Sequence, residues 1–342
     1  MHTKKWTKLI TRRLAVQVGI AWNYGWGKLS RDRYNTGISN TLIYYDGNKT
    51  DYFVDKDELN RLNQELDRLL ENPEFVHSMI PEAKEFVEDK YRFIKDIIND
   101  AHTLSNPKLA ALYSDFNVHH AHYYTRMWMV FRICERIVNK VEDMLMKDVK
   151  DKEKVQAMSR IFSTPLKPND VTNERIDMLK LAIKFSKSDS EEYKKELKQT
   201  LTVHTEKYQH IPMFDYDHEP FTYEHFVCEF DKIINSNNIK ISNPIDELKK
   251  IEVSFENRKL NFDISLNQIN GNKELYNLIK MLKKAVILRD HRDMVRQKLN
   301  LSLREFYKII GARIGLSVEE TALLTNKEIE YHLNASSNFD KE

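Results

Sequence analysis

Residues 110–147 read AALYSDFNVHHAHYYTRMWMVFRICERIVNKVEDMLMK, and this stretch decides the fold class. Apolar side chains recur in it at steps of three and four residues, which is the spacing that places them on one face of an α-helix. We therefore predict one long helix with a continuous buried stripe. The stripe consists of Leu112, Phe116, His120, Tyr123, Met127, Val130, Cys134, Ile137, Val141 and Met144.

The composition around this helix favours a mainly α-helical protein. The chain has 342 residues, of which 8 are glycine and 8 are proline, and 41% are hydrophobic. A β-rich fold of this length needs many tight turns built from glycine and related residues, whereas long helices need few. We predict a multi-helix fold with a small N-terminal β-hairpin.

The hairpin is predicted from two short strand-like runs. Thr41–Tyr45 and Thr50–Val54 are rich in β-branched and aromatic residues, and Asp46-Gly47 between them is a hairpin turn signal. A helix over residues 57–70 follows. Upstream, the aromatic stretch Trp22–Gly27 is interpreted as a loop that packs its rings on the body of the protein.

The predicted organisation has three parts. Residues 1–70 form an N-terminal segment with the hairpin and the first helix, residues 71–334 form a helical domain, and residues 335–342 form a frayed tail. Within the helical domain we predict a break at 148–154, a helix over 173–185 and an irregular stretch at 210–220.

Several helix starts are marked by local motifs. Asn243-Pro244 resembles an N-cap followed by proline in the first turn. A Ser or Thr followed three residues later by Glu is a capping box, in which each residue satisfies a free backbone N–H of the other. Four such pairs occur: Ser188/Glu191, Ser302/Glu305, Ser317/Glu320 and Thr325/Glu328.

Charge and cysteine content limit the classes of function. The 54 basic and 52 acidic residues give a net charge of +2, which argues against a broad nucleic-acid footprint. Cys134 and Cys228 lie in apolar, helix-like contexts and are predicted to be buried thiols rather than a disulfide. We find no signal peptide and no apolar run long enough to span a membrane, so we expect a cytoplasmic protein.

A histidine cluster interrupts the long helix. His119 and His122 share one face, but no third ligand at a metal-binding spacing is visible, so we predict no metal site and favour histidines that hydrogen-bond to neighbours. His120 interrupts the apolar stripe itself. A polar group at such a position needs a protein or ligand partner, which makes His120 a candidate pocket residue.

A second cluster is the arginine face near the end of the chain. Arg289, Arg292 and Arg296 are spaced to share one helical face, and such a face can hold a phosphate or a carboxylate. The alternative, which we favour on sequence grounds, is a set of intrahelical pairs such as Arg289 with Asp293 on a solvated surface.

Two motif matches fail on inspection. His291-Arg292-Asp293 is part of a protein-kinase signature, but the asparagine required five positions later is Lys298. The segment 302–325 has the order helix, turn, helix, but Glu319 and Glu320 at the start of the second helix would repel DNA phosphates. We therefore expect neither kinase-type catalysis by this motif nor nucleic-acid binding.

Several segments, in their order along the chain, resemble the helical middle region of phosphoenolpyruvate-synthase-like phosphotransferases, the group that includes rifampin phosphotransferase. The segments are Trp6–Arg12, Tyr52–Leu59, Pro165–Pro168 with Glu174–Leu179, His204–Pro212 with Pro220–Phe226, and Arg289–Arg292 with Ile309–Ser317 and Leu324–Ile329.

The resemblance implies a role on the acceptor side of phosphate transfer. In that family an ATP-grasp domain phosphorylates a histidine of a swivelling domain, and neither domain is recognisable in this sequence. The chain would then bind no cofactor itself, and ATP and Mg would belong to partner proteins that carry these domains. The acceptor-binding residues implied are His120, Tyr123, Arg126, His204, Tyr208, His210, Arg289 and Arg292.

Two alternatives remain open at this stage. The first is a non-catalytic helical interaction or regulatory protein on the same scaffold, which predicts a filled core in place of a pocket. The second is a stand-alone metal-dependent enzyme that uses the histidine cluster. An open polar cavity lined by His120 and Arg292 would count against the first alternative.

Overall fold

The fold was analysed in a computed structural model that describes residues 5–46, 49–186, 190–216, 218–235, 243–269 and 271–335. It is mainly α-helical with one small antiparallel sheet, as predicted. The chain forms two compact units. Unit 1 comprises Met1–Ile137, Met213–His218 and His291–Glu342, and unit 2 comprises Val138–Pro212 and Glu219–Asp290. The predicted domain boundary near residue 70 stays a prediction, and the two units meet along the chain at other residues.

Unit 1 contains a three-stranded antiparallel sheet. Its strands are β1 (Trp6–Arg12), β2 (Thr41–Tyr45) and β3 (Thr50–Asp55), in the order β1-β3-β2. The two predicted strands are confirmed, and Gly47 of the predicted turn lies outside the described residues. Strand β1 was not predicted, and it pairs with β3 with a register irregularity between Lys8 and Ile10.

The first helices of unit 1 lie between Val16 and Ala101. They are α1 (Val16–Tyr24), a π-helical turn (Gly25–Leu29), α2 (Ser30–Tyr34), α3 (Lys56–Leu70) and α4 (Pro73–Ala101). The loop predicted for Trp22–Gly27 is therefore wrong, because this stretch ends α1 and starts the π-helical turn. Its predicted ring packing is confirmed, since Trp22 and Trp26 are both buried.

Two long helices carry many of the buried apolar side chains. Helix α5 (Asn106–Val149) confirms the long helix predicted from the stripe, and α11 (Lys273–Ile314) is almost as long. The predicted stripe of α5 is buried from Phe116 to Val141, and its two end members are half-buried. Burying an apolar stripe is the main source of stability for a helix of this kind.

Unit 2 is built from shorter helices. They are α6 (Lys152–Ser163), α7 (Asp170–Phe185), α8 (Glu191–Tyr208), α9 (Tyr223–Ile234) and α10 (Pro244–Gln268). An apolar cluster of unit 2 is formed by α7, α8 and α9, together with Ile211 after α8. The cluster consists of Met178, Leu179, Ala182, Phe185, Leu201, Tyr208, Ile211, Phe226, Phe230 and Ile233.

Local capping explains where several helices begin. Asn243 accepts a hydrogen bond from the Ile245 N–H at 3.0 Å and proline follows it, as predicted. The N-cap of α8 is Ser190, and Ser188 of the predicted box lies outside the described residues. Irregular backbone between α8 and α9 agrees with the irregular stretch predicted for 210–220.

The C-terminal capping boxes give a mixed outcome. The boxes Ser317/Glu320 and Thr325/Glu328 are both formed, at the starts of α12 (Val318–Leu323) and α13 (Asn326–Ala335). Gly315 makes the turn before α12 with a φ of 78°. The box at Ser302/Glu305 is wrong, because α11 continues through it and Glu305 pairs with Lys308 at 2.6 Å.

The two cysteines differ in their burial. They form no disulfide, Cys134 is buried, and Cys228 is exposed on α9. The prediction that Cys228 is buried is wrong, because α9 turns Phe226, Phe230 and Ile233 into the core instead.

Within the described residues, no helix has the length and apolarity that crossing a membrane requires. The predicted tail beyond Ala335 lies outside the described residues.

Candidate functional site

A cleft of about 390 Å³ lies within unit 1 and is the candidate site. Strand β1, the α1 and π-helical segment, α5 and α11 all contribute side chains to it. Volumes of this size are typical of small-molecule sites. The lining residues are Leu9, Ile10, Arg12, Trp22, Trp26, Met127, Trp128, Phe131, Arg132, Glu135, Arg292, Asp293 and Arg296.

Four aromatic rings along the cleft form a stacked series. The centroids of Trp22 and Trp26 lie 5.4 Å apart with planes 19° apart, and those of Trp26 and Trp128 lie 3.4 Å apart with planes 15° apart. Trp128 and Phe131 continue the series at 6.0 Å and 20°. The tryptophans are nearly buried, whereas Phe131 is 41% exposed, so the series runs from the interior of unit 1 to its surface.

A glycine allows the first half of this series to approach the second. A Cβ atom at Gly25 would lie 2.8 Å from the backbone oxygen of Ala121 and 3.0 Å from the hydroxyl of Thr125. The Thr125 hydroxyl also donates to the Gly25 carbonyl at 3.2 Å. The missing side chain at Gly25 thus lets the π-helical turn contact α5 directly, which positions Trp26 against Trp128.

The four arginines of the cleft differ in their partners. Arg132 donates to Glu135 at 2.6 Å and also to Asn63, and Arg292 donates to Asp293 at 2.7 Å. Arg12 lies 3.9 Å from Asp215. Arg296 is 9% exposed and makes no hydrogen bond or ion pair with any described residue, its contact being with the Phe214 ring at 5.9 Å.

The electrostatics of the cleft favour an anion. Four arginines and two carboxylates line it, so positive charge is in excess. Burial and then the charge of Arg296 lower the pKa of Arg12, whereas Asp215 and Asp293 act in the opposite direction. Like charges held this close in a partly apolar environment are stabilised when an anion binds between them.

A buried donor in the cleft is also without a partner. The indole N–H of Trp26 is buried and meets no hydrogen-bond acceptor among the described residues. Buried polar groups are usually hydrogen-bonded, so an acceptor atom of a ligand in the cleft could accept a hydrogen bond from this N–H.

Three of the predicted site residues lie on the unit 1 part of α5. His120 is fully buried against the rings of Phe116 and Tyr124, and neither ring nitrogen has a partner among the described residues. Burial lowers the pKa of His120 to about 3, so its imidazole is neutral. Tyr123 is also fully buried, and its hydroxyl has no described partner. Arg126 packs on the Phe86 ring at 3.6 Å.

Four other predicted residues belong to unit 2. His204 lies 3.2 Å from Glu174, and His210 lies 3.0 Å from Asp170. Both histidines are nearly buried, and their carboxylate partners lie on one face of α7. Arg289 lies 3.5 Å from Asp290.

Tyr208 completes this part of unit 2. Its hydroxyl donates to Asp177 at 2.6 Å, and Lys207 donates to the same carboxylate at 2.8 Å. Burial and then this hydrogen bond raise the pKa of Tyr208 to about 12. These residues form paired, hydrogen-bonded contacts between α7 and the end of α8.

The structure therefore brings one of the eight predicted residues, Arg292, to the cleft of unit 1. The arginine face and the aromatic stretch are visible in the sequence, so Arg296, Trp22 and Trp26 could be recognised as residues of interest. The place of Arg12 and of the α5 residues in the cleft could not be predicted, because it depends on the position of β1 and on which helices pack together. These residues are Met127, Trp128, Phe131, Arg132 and Glu135.

The histidine cluster of α5 forms contacts with protein groups. The Lys90 ammonium lies 2.7 Å from Nδ1 of His119, and Asp115 lies 3.7 Å from Nε2 of the same ring. Among the described residues, no group of three or more His, Cys, Asp or Glu side chains is arranged to hold a metal ion.

No protein-family model matches this chain, and no curated protein matches it at a significant level.

Proposed function

We propose that unit 1 binds a small organic anion with a flat apolar part in the cleft between β1, α1, α5 and α11. The observation that carries this proposal is Arg296, a nearly buried guanidinium that lines the cleft without a hydrogen-bond or ion-pair partner among the described residues. A buried charge is costly unless it is paired, and an anionic ligand would supply the missing partner.

The shape and lining support the apolar half of the ligand. Three tryptophans, Phe131, Met127 and two aliphatic residues of β1 supply ring edges, ring faces and methyl groups. Arg292 lies over the Phe131 ring at 5.5 Å and Arg132 over the Trp128 ring at 5.6 Å, so cationic and aromatic surfaces alternate along the cleft. A ligand that carries a planar ring and a carboxylate or phosphate satisfies both kinds of surface.

We further propose that this ligand is the acceptor of a phosphoenolpyruvate-synthase-like phosphotransferase. In this proposal the chain binds the acceptor and transfers no phosphate alone, and cytoplasmic partner proteins supply the ATP-grasp and phosphohistidine domains with ATP and Mg. Arg292, which the resemblance implies as an acceptor-binding residue, lines the cleft and supports this reading.

Calorimetric titration of the chain with matched ligands tests binding. The probes are indole-3-acetate, 4-nitrophenyl phosphate and the neutral indole-3-acetamide. We expect at least one anion to bind about tenfold or more tightly than the amide, which corresponds to about 1.4 kcal/mol. Arg296→Gln should remove this preference, because it removes the unpaired charge.

The matched control is Arg68→Gln, which removes an exposed arginine of α3 in the same unit. It should leave the affinities within about twofold of those of the parent chain, as expected for a solvent-exposed charge that does not line the cleft. Equal binding of the acid and the amide, or unchanged anion binding by Arg296→Gln, would contradict the proposed site.

The phosphotransferase role needs a separate experiment. The tagged chain is captured from its native host, and the recovered proteins are identified by mass spectrometry. Recovery of a protein with an ATP-grasp or phosphohistidine domain, enriched over capture with an unrelated tagged helical protein, is the expected result. Recovery of neither domain would reject this role while leaving ligand binding in the cleft intact.

A second candidate is a non-catalytic helical interaction or regulatory protein. It is favoured by the packing at His120, which is fully buried among aromatic rings and does not line the cleft. In this alternative unit 1 is a packed scaffold, and none of the anionic probes should bind.

A further inference from the structure

A second group of basic side chains lies between α4 and α5 in unit 1. Helix α5 presents His119, His122 and Arg126, which share a face because they are three and four residues apart. Helix α4 presents Lys90 on the face that also carries Phe86 and Phe93. We call Lys90, His119, His122 and Arg126 the α4–α5 basic cluster. None of its members is among the lining residues of the cleft described above.

Arg126 is the most buried member of this cluster. It is 7% exposed, its Nε atom is buried without a hydrogen-bond partner, and no described carboxylate lies within ion-pair distance of it. Its guanidinium lies 3.6 Å from the centre of the Phe86 ring. Burial lowers the pKa of Arg126 to about 10, which leaves it cationic at neutral pH. Ring packing offsets only part of the cost of burying such a charge.

The other members also lack full neutralisation. Lys90 lies 2.7 Å from Nδ1 of His119, a contact in which the ammonium donates and the imidazole accepts, so this pair carries one positive charge. Burial and then the charge of Arg126 lower the pKa of Lys90, and the same two causes, in the same order, lower the pKa of His122. The cluster therefore holds its cations against mutual repulsion.

Of the described acidic groups nearby, Glu82, Glu88 and Asp89 pair with side chains outside the cluster, and only Asp115 contacts a cluster member. Glu82 of α4 pairs with Arg33 of α2, and Glu88 pairs with His291. Asp115 lies on the far side of His119, 3.7 Å from its Nε2 atom. Asp89 pairs with Arg92. The cluster reaches solvent at His119, whose side chain is 24% exposed.

From this arrangement we propose that the α4–α5 basic cluster is a second binding site of unit 1, specific for the phosphate group of a ligand or for free phosphate-type oxyanions. Arg126 and Lys90 supply permanent charge, and His122 supplies a further N–H donor, while His119 orients the Lys90 ammonium through Nδ1. Several converging donors around one tetrahedral anion are the usual composition of a phosphate site. The site is independent of the cleft and of the acceptor proposed for it.

Inorganic pyrophosphate is the probe, titrated calorimetrically into the full chain carrying Arg296→Gln so that the cleft does not contribute its unpaired arginine. Arg126→Met keeps a long apolar side chain on Phe86 and removes the charge. We expect it to weaken pyrophosphate binding by about tenfold or more, and Lys90→Met to weaken it to a similar degree. Lys95→Met, which removes an exposed lysine of α4, is the matched control and should change the affinity less than about twofold.

A second measurement locates the anion without relying on stability. Histidine ring NMR of the Arg296→Gln chain, with the His122 signal assigned by His122→Gln, should show that signal move toward the position of a protonated ring as pyrophosphate is added. An adjacent anion favours the imidazolium form, so this shift is expected only if the anion binds beside His122. Orthophosphate and a phosphomonoester, compared as ligands, distinguish a free oxyanion from a phosphate group on a larger molecule.

Three results would overturn the proposal. The first is the absence of pyrophosphate binding at millimolar concentration by the folded chain. The second is equal affinity of Arg126→Met and Lys95→Met, and the third is binding without a change in the His122 signal. If pyrophosphate binds here while the aromatic anions fail to bind in the cleft, the phosphate site at the cluster is supported and the proposed function of the cleft is rejected.

Discussion

The indole rings of Trp26 and Trp128 stack with their centroids 3.4 Å apart and their planes 15° apart. This contact joins the π-helical turn of unit 1 to α5, and Tyr52 of β3 adds an edge-on contact to Trp26 at 4.8 Å. Sheet, turn and long helix thus meet at one ring. The candidate cleft depends on this contact, because Trp26 and Trp128 both line it.

Trp26→Ala should destabilise unit 1 strongly. It removes a ring that is 3% exposed and leaves a cavity, and such substitutions cost about 3–5 kcal/mol. The free energy of unfolding is measured by urea titration followed by far-ultraviolet circular dichroism. Trp6→Ala removes a ring that is 41% exposed and serves as the control. A loss at Trp26 no larger than that at Trp6 would contradict the described packing.

Gly25→Ala should also destabilise unit 1, through overpacking. The new methyl group would meet the Ala121 backbone oxygen at 2.8 Å, and relief of such contacts costs about 1–3 kcal/mol. Gly271→Ala is the matched control, because no atom lies within 4 Å of the added Cβ. Thermal denaturation should separate the two variants, and a Gly25→Ala protein as stable as Gly271→Ala would show that the close approach is absent.

His120→Leu should change how stability depends on pH. Burial lowers the pKa of His120 from 6.5 to about 3, so as the pH falls below 6.5 the unfolded state takes up a proton that the folded state does not. Stability is therefore lost between pH 6.5 and about pH 4, with a contribution from this residue that approaches 1.4 kcal/mol per pH unit, or about tenfold in the unfolding constant. The variant should lack this contribution.

Unfolding free energies of the parent chain and His120→Leu, measured by urea titration from pH 7 to about pH 4, check this expectation. At neutral pH the variant should be as stable as the parent or more so, because leucine removes a buried ring whose two nitrogens have no described partner. His102→Leu, at an exposed histidine, is the control. Parallel pH profiles for the parent and His120→Leu would show that His120 is protonated or solvated in the folded state.

Arg175→Lys should weaken unit 2. Arg175 donates to both carboxylate oxygens of Glu247 at 2.7 Å, which ties α7 to α10. Lysine cannot form this two-point contact, and we expect a loss of about 1–2 kcal/mol after allowance for partial exposure of the pair. Arg92→Lys, in a pair with Asp89 whose side chains are 69% and 56% exposed, is the control. Equal unfolding free energies for the two variants would mean that Arg175 and Glu247 contribute as little as a solvated pair.

Periodic and local signals in the sequence predicted much of the fold. The stripe of α5 is a repeated pattern, and β2 and β3 are short runs rich in β-branched and aromatic residues. The boxes at Ser317 and Thr325 act within one turn of helix, so each of these features could be found without knowledge of the tertiary structure. The box at Ser302/Glu305 failed because Leu299, Leu303 and Phe306 are buried. Packing of that face keeps α11 continuous and overrides the local signal for a helix start.

The candidate site was predicted only in part, for a related reason. Arg292 and Arg296 follow helical spacing and were visible as a face. Arg12 lies on β1, which is a strand because it pairs with β3, and no local motif in the sequence predicts that pairing. The glycines at 25 and 27 suggested a loop. In the structure, the absence of a side chain at Gly25 allows the backbone of the π-helical turn to contact α5 closely.

The positions of the tryptophans have a practical consequence. All four, at positions 6, 22, 26 and 128, belong to unit 1, and unit 2 contains none. Indole fluorescence is therefore an intrinsic reporter of one half of the molecule, whereas the far-ultraviolet signal sums the helices of both. Unfolding curves recorded with the two signals on the unmodified chain will coincide if the units unfold cooperatively, and will separate into two transitions if each unit unfolds alone.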